Sequence, residues 1–211
     1  MPVDSTIPAH AVPPEPWRSF LQDLDTQLKA AAALRCLGGF VVTQQYGIGR
    51  GTSDIDFLSV TAVSAEDNVE VLGGLGSDLY KKYRVYLQYV GIATPPCDYA
   101  DRLQPMFPRA QCTKLQLFAL DPVDLALSKL ERNSDRDRED VLRLARAGYI
   151  DCGVLKARYL EEVRPYLLNK HEWHDQTLEL WIEMIAAPRF VDTDDSIFEI
   201  EQAPVRMGVS T

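Results

Sequence analysis

Hydrophobic residues recur at helical spacing near the start of the chain. In the stretch PWRSFLQDLDTQLKAAAALR, residues 16 to 35, Phe20, Leu21, Leu24 and Leu28 lie three or four positions apart or side by side. Residues at this spacing share one face of a helix, and good helix formers follow them. The pattern therefore predicts a first helix that starts at Pro16.

Shorter apolar runs have the pattern of strands. LRCLGG, residues 34 to 39, stops at two glycines and predicts a buried strand followed by a brief helix that ends near Gly47. VYLQYVGI, residues 85 to 92, and KLQLFAL, residues 114 to 120, predict two further strands. In DIDFLSV, residues 54 to 60, the two aspartates alternate with Ile55 and Phe57. A strand there places Asp54 and Asp56 on one face.

Helical patterns dominate the second half of the chain. DPVDLALSKLER, residues 121 to 132, predicts an amphipathic helix with Asp121 as N-cap, Pro122 at the first helical position and Asp124 in the first turn. Three more helices are predicted within residues 135 to 149, 154 to 168 and 172 to 186. An earlier segment, residues 68 to 83, predicts a helix that its glycines interrupt or precede.

The order of these elements predicts an α+β fold with α/β-like character. A small mixed β-sheet core is flanked by helices and followed by a helical C-terminal half. We divide the chain into a proline-rich flexible arm at residues 1 to 15, a core at 16 to 120, a helical region packed on the core at 121 to 188 and an acidic tail at 189 to 211. The tail is predicted either to be disordered or to fold on contact with a partner.

Composition is that of an ordinary globular chain, with 46% hydrophobic and 25% charged residues in 211. No apolar run approaches the roughly 20 residues that a membrane-spanning helix needs, and the start has neither a basic nor an apolar leader. A cytoplasmic protein without a membrane partner is therefore expected. The four cysteines are irregularly spaced, which favours reduced thiols over a zinc site or disulfides.

The formal charge of −9 would ordinarily argue against a nucleic-acid partner. Residues 171 to 211, however, carry nine acidic residues and two basic ones, so most of the charge belongs to the C-terminal end. The body of the chain is nearly neutral, and charge does not exclude RNA as a substrate.

Candidate chemistry centres on the segment GRGTSDIDF, residues 49 to 57. Two carboxylates on one strand face form a plausible site for a divalent cation, whereas aspartates also commonly begin strands. Arg50 lies between two glycines and offers a fork of donors to phosphate. Thr52 and Ser53 add hydroxyls, and Gly38 and Gly39 are placed to turn backbone N–H groups toward an anion.

A second cluster lies in DLALSKLERNSDRDRED, residues 124 to 140. Lys129 falls on the predicted amphipathic helix, and alternating charges that include Asp137 and Asp140 open the next helix. Taken alone, such a charge run is more often a solvated face with weak ion pairs.

Together the two clusters resemble a known family. LGGFVVTQQYGIGRGTSDIDFL resembles the glycine-pair and D-x-D signature of the minimal nucleotidyltransferases of the DNA polymerase β-like superfamily. DPVDLALSKLERNSDRDREDV is similar to the downstream K-L and R-D-x-x-D block of the AbiEii-like toxin branch and its DUF6036 relatives. The resemblance covers residues 34 to about 147 and identifies residues 16 to 120 as a nucleotidyltransferase core.

The resemblance implies an enzyme that holds a nucleoside triphosphate on Mg²⁺ and transfers the nucleoside monophosphate to an acceptor. Asp54 and Asp56 would bind the metal and act in catalysis with Lys129. Gly38, Gly39, Arg50, Thr52 and Ser53 would bind the nucleotide, and Asp137 and Asp140 would support the site. RNA, with tRNA ends as one candidate, or a protein would be the acceptor, and an antitoxin or other protein a partner.

The chain departs from the superfamily at the third carboxylate. That acid commonly lies on the strand beside the D-x-D strand, where this chain has VYLQYVGI with Gln88 and no acid. Asp98 and Asp101 follow and are the alternatives. Three hypotheses remain open: a transferase in a toxin or defence role, a weakly catalytic relative that binds a nucleotide or partner, and an unrelated α/β fold with surface ion pairs.

Overall fold

A computed structural model describes residues 10–48, 51–61, 68–91 and 93–187. Arg50, most of the proline-rich arm and the acidic tail from residue 189 lie outside the described residues. None of the helices within the described ranges combines the length and the apolar character that crossing a bilayer requires.

The core is a five-stranded mixed sheet. Its strands in chain order are β1 (Ala32–Leu37), β2 (Asp54–Thr61), β3 (Tyr86–Tyr89), β4 (Gln104–Pro105) and β5 (Leu115–Ala119). In space the order is β3-β2-β1-β5-β4. Strand β1 runs antiparallel to β2 and parallel to β5, β3 runs parallel to β2, and β4 runs antiparallel to β5. The mixed sheet confirms the α+β class, and β4 is the strand that the sequence pattern did not predict.

In the described part of the first half, the sheet is accompanied by the α-helices α1 (Trp17–Gln27), α2 (Gly38–Gln44), α3 (Val69–Gly73) and α4 (Asp78–Tyr83) and by a 3₁₀ helix, Tyr99–Arg102. Helix α1 ends earlier than the alanine-rich sequence predicts. Leu28 turns to an extended conformation, and the Ala32 N–H donates to the Lys114 carbonyl at 2.9 Å. Pairing with β5 therefore places Ala32 and Ala33 in β1, because tertiary hydrogen bonds outweigh the helix propensity of alanine.

The second half is helical, with α5 (Pro122–Leu127), α6 (Asp135–Arg146), α7 (Cys152–Arg158) and α8 (His171–Ala186). Asp121 caps α5 as predicted, because its carboxylate accepts from the Val123 N–H at 3.0 Å. Between α7 and α8 the chain forms one π-helical segment, Tyr159–Val163, and a short 3₁₀ helix, Arg164–Tyr166. Helix α5 ends two residues before Lys129, so this lysine lies in the turn after α5 and not within a helix.

Aromatic side chains fill much of the core around the sheet. Trp17 packs edge-on against Phe20 and Phe40, and all three are buried. In the helical half, Tyr159 and Trp181 are each 1% exposed. Burial of such rings stabilises a fold strongly, so the helical half is anchored by its own large side chains.

Asp25 joins the end of α1 to the start of β5. Its buried carboxylate accepts hydrogen bonds from the backbone N–H groups of Thr113, Lys114 and Leu115, the last at 2.6 Å, and from the Thr113 hydroxyl. Burial by itself raises the pKa of Asp25, but the hydrogen bonds from Thr113, Leu115 and Lys114 hold the pKa below its usual range. The ionised side chain is therefore the form that the fold requires.

Replacing Asp25 with alanine is expected to lower the free energy of unfolding by about 3 kcal/mol, because three backbone N–H groups lose their acceptor. Urea unfolding of both proteins at pH 7 measures this loss. Asp23→Asn is the matched control in the same helix, since Asp23 is partly exposed and pairs with Lys82 at the surface. Equal losses in the two variants would contradict the role of Asp25.

Candidate active site

Strand β2 presents its two aspartates on one face. Ile55 and Phe57 are 0% and 2% exposed on the opposite face, while Asp54 and Asp56 are partly exposed. In the sheet, Asp56 lies beside Leu37 of β1 on one side and Gln88 of β3 on the other. The structure therefore has the side-chain arrangement that the alternating sequence pattern predicts for β2.

The start of α2 lies directly against Asp56. Gly38 has φ +75°, a backbone conformation that residues other than glycine rarely adopt. A Cβ atom built on Gly38 would lie 2.1 Å from the Asp56 Oδ2 atom, far inside contact distance. Glycine is therefore required here both by the backbone and by the position of the Asp56 carboxylate.

The loop before β2 contributes hydroxyl groups next to Asp54. The Thr52 hydroxyl donates to the Asp54 Oδ1 atom at 2.5 Å, which orients this carboxylate. Ser53 is exposed in the same loop.

Lys129 is buried between two carboxylates of α6. Its side chain is 5% exposed, and the Nζ atom lies 3.2 Å from Asp137 Oδ1 and 3.0 Å from Asp140 Oδ2. The two aspartates are one helical turn apart on the inner face of α6. Asp137 and Asp140 therefore hold the lysine in place, and each carboxylate binds the Nζ atom through one oxygen.

Arg132 is a further cation that the sequence interpretation did not single out. Its guanidinium donates two hydrogen bonds to Asp137, at 2.7 Å and 2.5 Å. The hydrogen bond with Asp137 raises the pKa of Arg132, and the negative charges of Asp56 and Asp140 act in the same direction. Arg132 is therefore close enough to Asp56 to respond to its charge, although in sequence it is one member of a mixed charge run.

Asp137 is the centre of this cluster. Besides Lys129 and Arg132, it accepts from the backbone N–H and hydroxyl of Ser134, which caps α6 in a capping box. Burial raises the pKa of Asp137, but the hydrogen bonds from Arg132 and Ser134 and the charge of Lys129 outweigh it and hold the pKa well below its usual range.

Asp137→Asn is expected to lower the free energy of unfolding by about 3 kcal/mol at pH 7, because Arg132 loses its charged partner and Lys129 keeps only Asp140. Since the folded-state pKa is lowered, the carboxylate stabilises the fold above about pH 4 and loses this effect as the pH falls toward the folded-state value. Urea unfolding from pH 7 to pH 2 should thus show the variant approaching the native protein at low pH. Asp135→Asn is the control, since the Asp135 side chain is 98% exposed. A constant difference between native and Asp137→Asn proteins across this range would contradict the assignment.

Two spaces meet at Asp56 and Arg132. One is an open groove lined by Gly39, residues 51 to 54, and Ser134 to Arg136 at the start of α6. The other is a cavity of about 370 Å³ lined by Gly38, Gln88, Lys129 and His174 among others. Both include Asp56 and Arg132. The structure therefore brings Lys129 and the D-x-D strand to one site, and the clusters are not opposite surfaces of the molecule.

Gln88 occupies the position expected for a third carboxylate. It pairs in register with Asp56, and it lines the cavity. Asp98 and Asp101 are exposed, and neither lines the groove or the cavity within the part of the chain that the structure describes. Among the described residues, the other carboxylates that line these spaces are Glu131 and Asp135, which pair with Lys170 and Arg138. Asp98 and Asp101, the alternatives that the sequence offered, therefore do not supply a third acid at these spaces.

Helix α8 contributes a histidine and two tryptophans near the site. His174 is 3% exposed and lines the cavity. Trp181 is buried and Trp173 is half exposed, and their indole N–H groups donate to the Asn133 side chain and the Glu131 carbonyl. These two hydrogen bonds flank Arg132 and attach its turn to α8.

The structure thus combines a mixed sheet, paired aspartates on β2, a glycine-initiated helix beside them and a buried lysine that lines the same cavity as Asp56. The family comparison places this chain among the nucleotidyltransferases. It belongs to the family DUF6036, described as a nucleotidyltransferase of unknown function, whose model matches residues 19–189. Neither a curated protein nor a solved structure matches the chain.

Proposed function

We propose that the protein is an Mg²⁺-dependent transferase that moves a nucleoside monophosphate from a nucleoside triphosphate to an acceptor hydroxyl. The observation that carries this proposal is the convergence of Asp54, Asp56, Lys129 and Arg132 around two connected spaces. Carboxylates paired on a rigid strand suit a hard divalent cation, and buried or anchored cations suit phosphate oxygens.

The groove is the proposed site of the triphosphate. Gly39, Thr52, Ser53 and Arg136 line it, and hydroxyl, backbone N–H and guanidinium groups are the usual donors to phosphate oxygens. Arg50, which lies outside the described residues, is assigned to the same phosphates on the family resemblance.

Asp54 and Asp56 are the proposed metal ligands. The Thr52 hydrogen bond orients Asp54, and Gly38 leaves the space that the Asp56 carboxylate occupies. When bound there, a divalent cation would neutralise phosphate charge and align the reacting oxygens. The donor set of two carboxylates with neighbouring hydroxyls fits Mg²⁺, which prefers oxygen ligands and retains space for water and phosphate.

Lys129 is proposed to stabilise negative charge that develops on the phosphates during transfer. Its Nζ atom is held by Asp137 and Asp140, so that the charge is positioned before the nucleotide arrives. Arg132, fixed by two hydrogen bonds to Asp137, is proposed to assist at the point where groove and cavity meet.

For the acceptor we propose RNA, with tRNA ends as one candidate, or a protein side chain, in a cytoplasmic toxin or defence role controlled by a partner protein. This part rests on the resemblance to the AbiEii-like branch. The nearly neutral body of the chain is compatible with either acceptor.

A second candidate function is nucleotide binding with little turnover. The observation that favours it is Gln88, a neutral amide beside Asp56 where active superfamily members commonly have an acid. An amide oxygen is a weaker metal ligand than a carboxylate, so the attacking hydroxyl would be less activated.

The transferase proposal is tested by incubating the protein with each α-labelled nucleoside triphosphate, Mg²⁺ and cell extract. Label is expected in a macromolecule, and its sensitivity to ribonuclease or protease identifies the acceptor. The double variant Asp54→Asn/Asp56→Asn is the control. Absence of any label that requires these aspartates, with all four nucleotides, would contradict the proposal, whereas Mg²⁺-dependent nucleotide binding without label would favour the second candidate.

A further inference from the structure

His174 has one ring nitrogen engaged and the other available. Its Nδ1 atom lies 2.9 Å from the Lys170 carbonyl oxygen, one turn earlier in α8. Because a carbonyl only accepts, Nδ1 carries the hydrogen in this contact, and Nε2 of the neutral ring then holds a free lone pair. Within the described ranges Nε2 has no hydrogen-bond partner, and the residue as a whole is 3% exposed.

The surroundings of His174 place this residue at the candidate site. His174 lines the cavity of about 370 Å³ that Asp56 and Lys129 also line. Because Nδ1 is engaged with the helix backbone, Nε2 is the ring nitrogen left for a group that is bound in the cavity. A neutral imidazole in a cavity shared with Asp56 is thus placed to take a proton from such a group.

We propose that the cavity receives the hydroxyl-bearing end of the acceptor and that His174 Nε2 is the base that takes up the hydroxyl proton. This inference rests on the proposed transferase function and adds to it the acceptor site and a catalytic residue. His174 is thus the group that compensates for the missing third carboxylate at Gln88.

The proposed step is balanced as follows. The acceptor oxygen forms a bond to the α-phosphorus, and the bond between that phosphorus and the bridging oxygen of the β-phosphate breaks. Pyrophosphate leaves with the electron pair of the broken bond. The proton of the acceptor hydroxyl moves to His174 Nε2, and the resulting imidazolium, still donating from Nδ1 to Lys170, returns the proton to water.

The arrangement of the site as a groove and a cavity that share Asp56 and Arg132 supports an acceptor in the cavity. In an in-line displacement the attacking and leaving oxygens lie on opposite sides of the phosphorus. The groove carries the hydroxyl, glycine and guanidinium donors suited to the leaving phosphates, whereas the cavity extends from Asp56 toward β3 and α8. Its walls combine apolar side chains with polar ones, and its volume suits a single nucleoside or side chain.

Several charged groups share the cavity with His174. They are Asp56 of β2 and three residues of the turn after α5, Lys129, Glu131 and Arg132. Lys170 lies next to α8 and pairs with Glu131. Any pH dependence of transfer must therefore be assigned to His174 by substituting this residue. The midpoint of the pH profile alone does not identify the group, because other charged groups lie in the same cavity.

Two substitutions separate a catalytic from a structural role. His174→Asn retains a donor that can reach the Lys170 carbonyl in place of Nδ1 but has no base. His174→Gln places an amide toward the cavity and also has no base. His171→Gln, at the start of the same helix, is the matched control. Each protein is assayed for transfer of α-labelled nucleotide to cell extract from pH 5 to 9, for Mg²⁺-dependent binding of the same nucleotide, and for thermal unfolding.

Both His174 variants are expected to lose about 100-fold in transfer at pH 8, while nucleotide binding and unfolding temperature stay near those of the His171→Gln control. The pH–rate profile of the native protein should change in both variants, because neither has a base at position 174. Transfer by His174→Asn at the native rate with the native pH profile would overturn the proposal while leaving the transferase function intact. An unlabelled extract with the native protein would overturn both.

Discussion

Asp56→Asn is expected to lower nucleotide transfer about 1,000-fold at saturating Mg²⁺. Asp56 borders both the triphosphate groove and the acceptor cavity, so a neutral side chain there weakens metal binding and removes charge from the reacting centre. The measurement is the initial rate of label transfer from an α-labelled nucleoside triphosphate. Part of the loss is expected to be recovered with higher Mg²⁺, because the metal is held less tightly.

Asp98→Asn is the matched control for this prediction. Asp98 is the exposed acid that the sequence offered as a substitute third carboxylate, and its backbone N–H lies near Glu162, outside the groove and the cavity. Transfer by Asp98→Asn should stay within about twofold of native. A loss with Asp98→Asn as large as that with Asp56→Asn would show that the metal site is elsewhere.

Gly38→Ala is expected to lower transfer about 100-fold, because the added methyl group would overlap the Asp56 carboxylate and displace it. A displacement of roughly 1 Å at a reacting centre is enough for an effect of this size. Transfer rate and thermal unfolding are measured on the same preparation, so that loss of fold is distinguished from loss of geometry.

Gly47→Ala is a closely matched control for this substitution. Gly47, at φ +69°, has nearly the same positive φ as Gly38, yet an added Cβ atom there meets nothing within 4 Å. Both variants therefore carry similar backbone strain, about 1 kcal/mol. Only Gly38→Ala should lose transfer, and equal activity in the two variants would contradict the proposed contact with Asp56.

Local patterns predicted the framework of the fold and the first half of the site. Alternation in DIDFLSV placed Asp54 and Asp56 on one strand face, and the glycines at 38 and 39 predicted the turn into α2. Capping chemistry predicted the start of α5 at Asp121. These features depend on neighbours a few residues apart, which is the range that periodicity and caps report.

Features that depend on distant contacts were not predictable in this way. Asp25 bonds to residues about 88 positions later, and the tertiary pairing that ends α1 early has the same origin. In the sequence Arg132 belongs to a mixed charge run, and only the tertiary structure gives its contact with Asp137 and its proximity to Asp56. His174 reaches the cavity only because α8 returns to the side of Gln88 in β3.

The register of β3 places Gln88, and not an acid, beside Asp56. The candidate site therefore comprises two strand aspartates, a lysine held by Asp137 and Asp140, and the groups that line the cavity. Turnover by this set of residues is the claim that a direct measurement must test.

The most direct measurement is the ratio of pyrophosphate released to nucleoside monophosphate incorporated, with native protein, Mg²⁺, an α-labelled nucleoside triphosphate and cell extract. Transfer by this site predicts one pyrophosphate for each incorporated monophosphate, with both products lost in Asp54→Asn/Asp56→Asn. Release of neither product, although Mg²⁺-dependent nucleotide binding is intact, would contradict transfer and leave a binding protein. Pyrophosphate without incorporation would equally contradict it, because the nucleotide would then be passed to water.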